Sequence, residues 1–107
     1  MASVRISEGP ALLVDTGSPG NVCGSEWSAE MAEAAQEAGR PEPKYQRRQK
    51  PLVMSGIGTG SQVATHEVLH AVGLPGSGDA LYKASELPES RTPGILGQRT
   101  RWRRRVA

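Results

Sequence analysis

A mainly β domain with one or two short helices is the fold class this sequence predicts, and three observations predict it. The apolar runs Leu12-Leu13-Val14, Leu52-Val53-Met54 and Ile95-Leu96 are each followed within three residues by glycine, the punctuation of short strands. The 107 residues include 13 Gly and 8 Pro, too many breakers for a helical bundle. Sustained helical spacing is confined to residues 25–38, with a shorter second candidate at 61–72. A hydrophobic fraction of 36% without any Phe makes a thin core for one small domain, so a partner subunit would add needed burial.

Residues 2–6 are predicted as a strand, turned at Gly9-Pro10 into a second strand at 11–14. In the helix that follows, Ser25 is the predicted N-cap, Trp27, Met31, Ala34/Ala35 and Ala38 form the apolar stripe, and Gly39 and Pro41 end it. Glu30, Glu33 and Glu37 are its solvated face. Residues 40–50, polar and rich in Arg, Lys and Gln, read as an exposed loop. Residues 51–54 form a short strand opening into Ser55-Gly56-Ile57-Gly58-Thr59-Gly60, whose alternate glycines suit a mobile hairpin tip. A phosphate loop is excluded there, because no Lys-Ser/Thr follows and the spacing fits no dinucleotide fingerprint. Residues 73–78 are a turn, 80–85 a strand packed through Leu81 and Tyr82, 88–92 a polar connection, and 93–98 a last apolar strand.

The net charge of +2 hides a split. Residues 1–98 carry eight Lys and Arg against eleven Asp and Glu, whereas residues 99–107 carry five Arg and no acid. The division is therefore a folded domain over 1–98 and an Arg-rich tail over 99–107. The preferred expectation for that tail is a frayed, solvated terminus, with nucleic-acid contact as the alternative; the same alternative stands for residues 40–50, where a solvated linker is preferred. Cys23, the only cysteine, cannot form an intrachain disulfide and is expected to be a small buried hydrophobe. With no signal peptide and no run of transmembrane length, the expected setting is intracellular and cytoplasmic, away from membranes.

The chemistry concentrates at residues 11–18, where an apolar strand runs directly into Asp15-Thr16-Gly17-Ser18. A buried strand can carry Asp15 to the floor of a cleft, Thr16 offers a hydroxyl to hold the loop, and Gly17 lets substrate backbone come close. With Val53-Met54-Ser55-Gly56-Ile57-Gly58-Thr59-Gly60 and Pro93-Gly94-Ile95-Leu96-Gly97 following in order, the chain resembles the retropepsin-type aspartic proteases of retroviruses and retrotransposons. The resemblance spans residues 11–98. It implies a small closed β-barrel-like aspartic protease lobe, with Asp15 catalytic and Thr16, Gly17 and Ser18 as its loop. It further implies a flap at Ser55, Gly56, Ile57, Gly58, Thr59 and Gly60 that contacts a polypeptide substrate, and support of the loop by Ile95, Leu96 and Gly97. With one Asp per chain, the implied enzyme is a homodimer without cofactors that processes a retroelement polyprotein. The family continues past the Ile-Leu-Gly segment into a helix and a terminal strand, whereas ten residues follow Gly97 here, so the resemblance is to a shortened lobe.

A second motif competes. Residues 66–70 read His-Glu-Val-Leu-His. On a helix, His66 and His70 would share one face and bind zinc, with Glu67 as general base of a metallopeptidase. Ser61 could cap that helix and Gly73-Leu74-Pro75 end it. Position 76, where a metzincin places its third histidine, is Gly76, and the chain has no further histidine. The preferred expectation is that both histidines are exposed on the strand after the flap, with no metal and no catalytic role. A third alternative is a non-catalytic binding module that keeps the protease fold.

Overall fold

The computed structural model describes residues 2–15, 17–18, 20–55, 61–76, 78–97 and 103–104. In chain order the elements are β1 (Ala2–Val4), β2 (Leu12–Val14), β3 (Val22–Gly24), α1 (Ser25–Glu37), β4 (Lys44–Ser55), β5 (Ser61–Leu74), β6 (Gly78–Leu87), β7 (Gly94–Leu96) and β8 (Arg103–Arg104). The strands form one sheet in the order β1-β2-β7-β3-β6-β5-β4, with β8 added to β6. Two pairs are parallel, β2 with β7 and β3 with β6; the others are antiparallel. Among the described residues the fold is mainly β with one helix. Among the described residues its end strands β1 and β4 do not pair with each other, so the sheet is open where closure was expected.

The core lies between α1 and the sheet. Trp27, Met31 and Ala35, spaced by four, bury one stripe of the helix against Leu12, Val68, Val72, Tyr82 and Leu96. Full burial of Leu12, Met31 and Val72 contributes about 1.5–3 kcal/mol each. The Trp27 indole N–H donates to the Ala11 carbonyl at 3.1 Å, tying the helix to the start of β2. The ring lies over Gly94, where a Cβ would come within 2.5 Å of it. Cys23 is fully buried, and burial first, then the nearby Glu86 carboxylate, pushes its thiol up to about 12. Such a thiol is an inert packing group.

Several expectations need correction. Residues 40–50 are not a loop, since most of them belong to β4, the edge strand. Its Lys and Arg side chains, and Pro51 inside a register shift between Arg47 and Leu52, are how an edge strand avoids pairing with other chains. The second candidate helix is the strand β5, whose residues 64, 68, 70 and 72 bury one face between β4 and β6. Ser25 is not the N-cap. Gly24 holds that position, where a Cβ would meet the Ser90 carbonyl at 2.5 Å and the Thr92 carbonyl at 2.7 Å. The connection at 88–92 supplies the cap instead: Glu26 N–H donates to Ser90 O, and Ser90 N–H donates to the Ser25 hydroxyl. In the Arg-rich tail, Arg103 and Arg104 pair with Leu81 and Ala80, so this part of the terminus is not frayed.

Candidate active site

β2 is a short apolar strand, Leu-Leu-Val, held on both sides: by β1 through Ser3↔Leu13 and by β7 through Leu13↔Ile95. Asp15 is the next residue, and its N–H continues the parallel ladder by donating to Leu96 O at 3.0 Å. Beyond it the chain folds back, with Ser18 N–H donating to Asp15 O at 3.1 Å. The Asp15 carboxylate turns into this loop and accepts the Gly17 N–H at 2.9 Å through Oδ1. The residue as a whole is half-buried. Thr16 lies outside the described residues.

The segment 15–21 must pass from β2 to β3, and β7 lies between those two strands. It therefore arches over the end of β7, where Gly97 sits. Two side chains set this arch. Ser18 is buried and its hydroxyl donates to Gly20 O at 2.7 Å. Asn21 accepts the Gly97 N–H at 3.0 Å and donates to Lys83 O at 3.0 Å, joining the loop to β7 and β6 at once. Tyr82, buried on β6, directs its hydroxyl at Ile95 O (2.8 Å) and Val22 O (3.2 Å) beneath the same arch. Ile95, Leu96 and Gly97 are thus placed alongside the Asp15 strand. Asn21 and the Tyr82 hydroxyl were missed as supports, because one reads as a turn former and the other as a packing residue.

A Cβ at Gly97 would press on the Gly20 carbonyl and reach 2.7 Å from Ser18 O, both backbone atoms of the arch. Gly97→Ala is therefore expected to cost about 2 kcal/mol by overpacking and to shift the loop that carries Asp15. Urea unfolding measures the loss; an alanine variant as stable as the parent would mean that the arch stands clear of β7.

The strand ends of the expected flap are seen. Leu52↔Ala64 through Ser55↔Ser61 pair as a hairpin, with Leu52 and Met54 packed on Val22, Ala64 and Leu87. Its other face shows Val53 and Val63, directly opposite each other and 63% and 41% exposed. Gly56, Ile57, Gly58, Thr59 and Gly60 lie outside the described residues. Two hollows on the protein surface are lined by β4, β5 and β6, and no residue of the Asp15 loop contributes to them.

The His-Glu-Val-Leu-His motif is on β5, so the helical geometry for zinc does not form. Four residues of strand separate His66 from His70 by about 13 Å. Among the described residues no three His, Cys, Asp or Glu gather around a possible ion position. His66 is exposed and hydrogen-bonded to Thr65, and Glu67 pairs with Arg48 at 3.5 Å and Lys83 at 3.9 Å. His70 corrects the expectation of exposure, being 1% exposed, with Nε2 2.7 Å from the Ser28 hydroxyl and its ring edge-on to Trp27. Burial lowers its pKa to about 4, which keeps it neutral near pH 7. No helix among the described residues is long and apolar enough to cross a membrane. No protein-family model, curated protein or solved structure matches this chain.

Proposed function

We propose that this chain is a retropepsin-type aspartic endopeptidase that acts as a homodimer on a polyprotein of a retroelement. The observation that carries the reading is the mounting of Asp15. Its strand is clamped between β1 and β7, its amide is fixed on Leu96, and its carboxylate is oriented by the Gly17 N–H. The Gly17 and Ser18 bonds to Asp15 are those of an ordinary Asx turn. What supports the reading is that this turn closes a strand paired on both sides, with the Asp15 amide fixed on β7.

One chain contributes one such group, so the second comes from a second copy. Two carboxylates at close range do not both ionise; they share a proton, and their titration belongs to the pair. The ionised member takes a proton from water, whose oxygen attacks the scissile carbonyl carbon. The protonated member meanwhile donates to the carbonyl oxygen. Collapse of the tetrahedral adduct then expels the amine, which leaves with a proton from the same pair. Gly17 and Ser18 hold the loop through their bonds to Asp15, and the resemblance gives the remaining loop role to Thr16 and the flap role to residues 55–60.

Sedimentation at pH 5 and pH 7, with peptide-library cleavage read on the same samples, tests this. The expected result is a dimer whose specific activity rises with chain concentration through the dissociation range. A folded monomer without activity at any concentration would overturn it.

A further inference from the structure

We infer that the outer edge of β4 binds single-stranded nucleic acid through Lys44, Arg47 and Lys50, with the ring of Tyr45 as a stacking surface. This is a property of the opposite end of the sheet from Asp15 and does not rest on the protease reading. β4 is the last strand in the sheet order, and among the described residues its outer edge pairs with nothing. Residues 44–50 carry four cations and no acid, spread over about 20 Å of extended chain.

The cations are not equivalent. Arg48 is engaged, bonded to Ser85 Oγ at 2.7 Å and paired with Glu67 at 3.5 Å; Lys83 lies 3.9 Å from the same carboxylate. Glu67 is therefore already neutralised by its neighbours. Lys44, Arg47 and Lys50 are exposed and have no ion-pair partner among the described residues, so their charge faces outward uncompensated. Two hollows adjoin along this strand, sharing Gln46 and Glu67, and together make a groove with a basic rim. Tyr45 borders the groove from the α1 side of the strand, 53% exposed, with its hydroxyl 3.5 Å from Ser28 and from Glu86. A chain of phosphates along a basic groove with an aromatic face beside it is how single strands are held without sequence preference.

The same edge suits an acidic peptide less well. Strand addition needs a regular ladder of backbone groups, and the register shift between Arg47 and Leu52 interrupts that ladder. Phosphates need only the charges. Protection against edge pairing explains one or two lysines and Pro51, but not an exposed Tyr45 among four cations.

Fluorescence anisotropy of the full chain with a labelled 20-nucleotide oligouridylate, from 50 to 300 mM salt, decides it. The triple variant Lys44→Gln, Arg47→Gln, Lys50→Gln is expected to bind at least about tenfold more weakly and to lower the log–log salt slope by about two. Tyr45→Leu is expected to weaken binding about fivefold or more through lost stacking. Both effects should persist when Arg99, Arg101, Arg103, Arg104 and Arg105 are replaced by Gln, which removes the tail's own charge. Circular dichroism confirms that each variant is folded. The inference is overturned if the triple variant binds as the parent does, or if the tail substitutions alone abolish binding. Displacement of the oligonucleotide by poly-glutamate at equal charge concentration would also overturn it, making the groove an acidic-peptide site.

Discussion

Asp15→Asn is expected to lower peptide hydrolysis by at least about 10³-fold while leaving the thermal melt within a degree or two of the parent. The two halves of that result have separate causes. The fold is retained because asparagine keeps an oxygen where Asp15 Oδ1 accepts the Gly17 N–H at 2.9 Å, and the amide bond to Leu96 is main chain. Catalysis is lost because an amide cannot take a proton from water or share one with a second carboxylate. Mixing sharpens the test. If each site needs one Asp15 from each of two chains, a ninefold excess of the asparagine variant leaves few fully competent pairs. The activity per parent chain then falls about tenfold at constant total concentration. Chromatography of cleaved peptides reads both experiments. Hydrolysis that survives the substitution, or that is indifferent to mixing, would remove Asp15 or the dimer from the mechanism.

The legible parts of this fold were those where local chemistry and tertiary environment agree. Leu12-Leu13-Val14 is apolar, β-branched at its end and followed by turn formers, and it is a strand with Leu12 fully buried and Leu13 and Val14 half-buried. Trp27, Met31 and Ala35 keep helical spacing and pack as read. Where the two disagree, long-range pairing decides. Residues 44–50 look like a solvated loop because an edge strand has no buried face to impose alternation, and its charges serve the open edge. Residues 61–72 satisfy a helical stripe through Ala64, Val68 and Val72, yet pairing with β4 on one side and β6 on the other makes them a strand. The helix cap was illegible for the same reason, since it arrives from Ser90, more than sixty residues away. At the candidate site, the strand that ends at Asp15 and the turn after it could be read from the sequence. The arch over Gly97 could not, because it depends on β7 being inserted between β2 and β3.

Acidification is expected to destabilise the fold through His70, and the sign follows from its burial. In the unfolded chain this imidazole has the ordinary pKa of 6.5; in the folded chain burial lowers it to about 4. Between those values the unfolded state binds the proton and the native state does not, so stability rises with pH across that window. Above pH 6.5 the group is neutral in both states and costs nothing. As pH falls from 6.5 towards 4, about 3 kcal/mol is lost, which moves a urea midpoint down by roughly 2 M for a domain of this size. The contacts explain why protonation is resisted. Nε2 meets the Ser28 hydroxyl, whereas Nδ1 is buried with no hydrogen-bond partner, so a proton added there would be a donor without an acceptor beside Trp27. Carboxylates titrate near the lower end of the same window, so the informative quantity is the difference between the parent and His70→Gln, which can keep a bond to Ser28 without titrating. Parallel stability curves from pH 6.5 to pH 4 would show that His70 is not held neutral in the core. A steeper loss in the parent would assign the slope to this residue. It would also make the docking of α1, rather than the shared proton of a carboxylate pair, the acid limit of any hydrolytic activity.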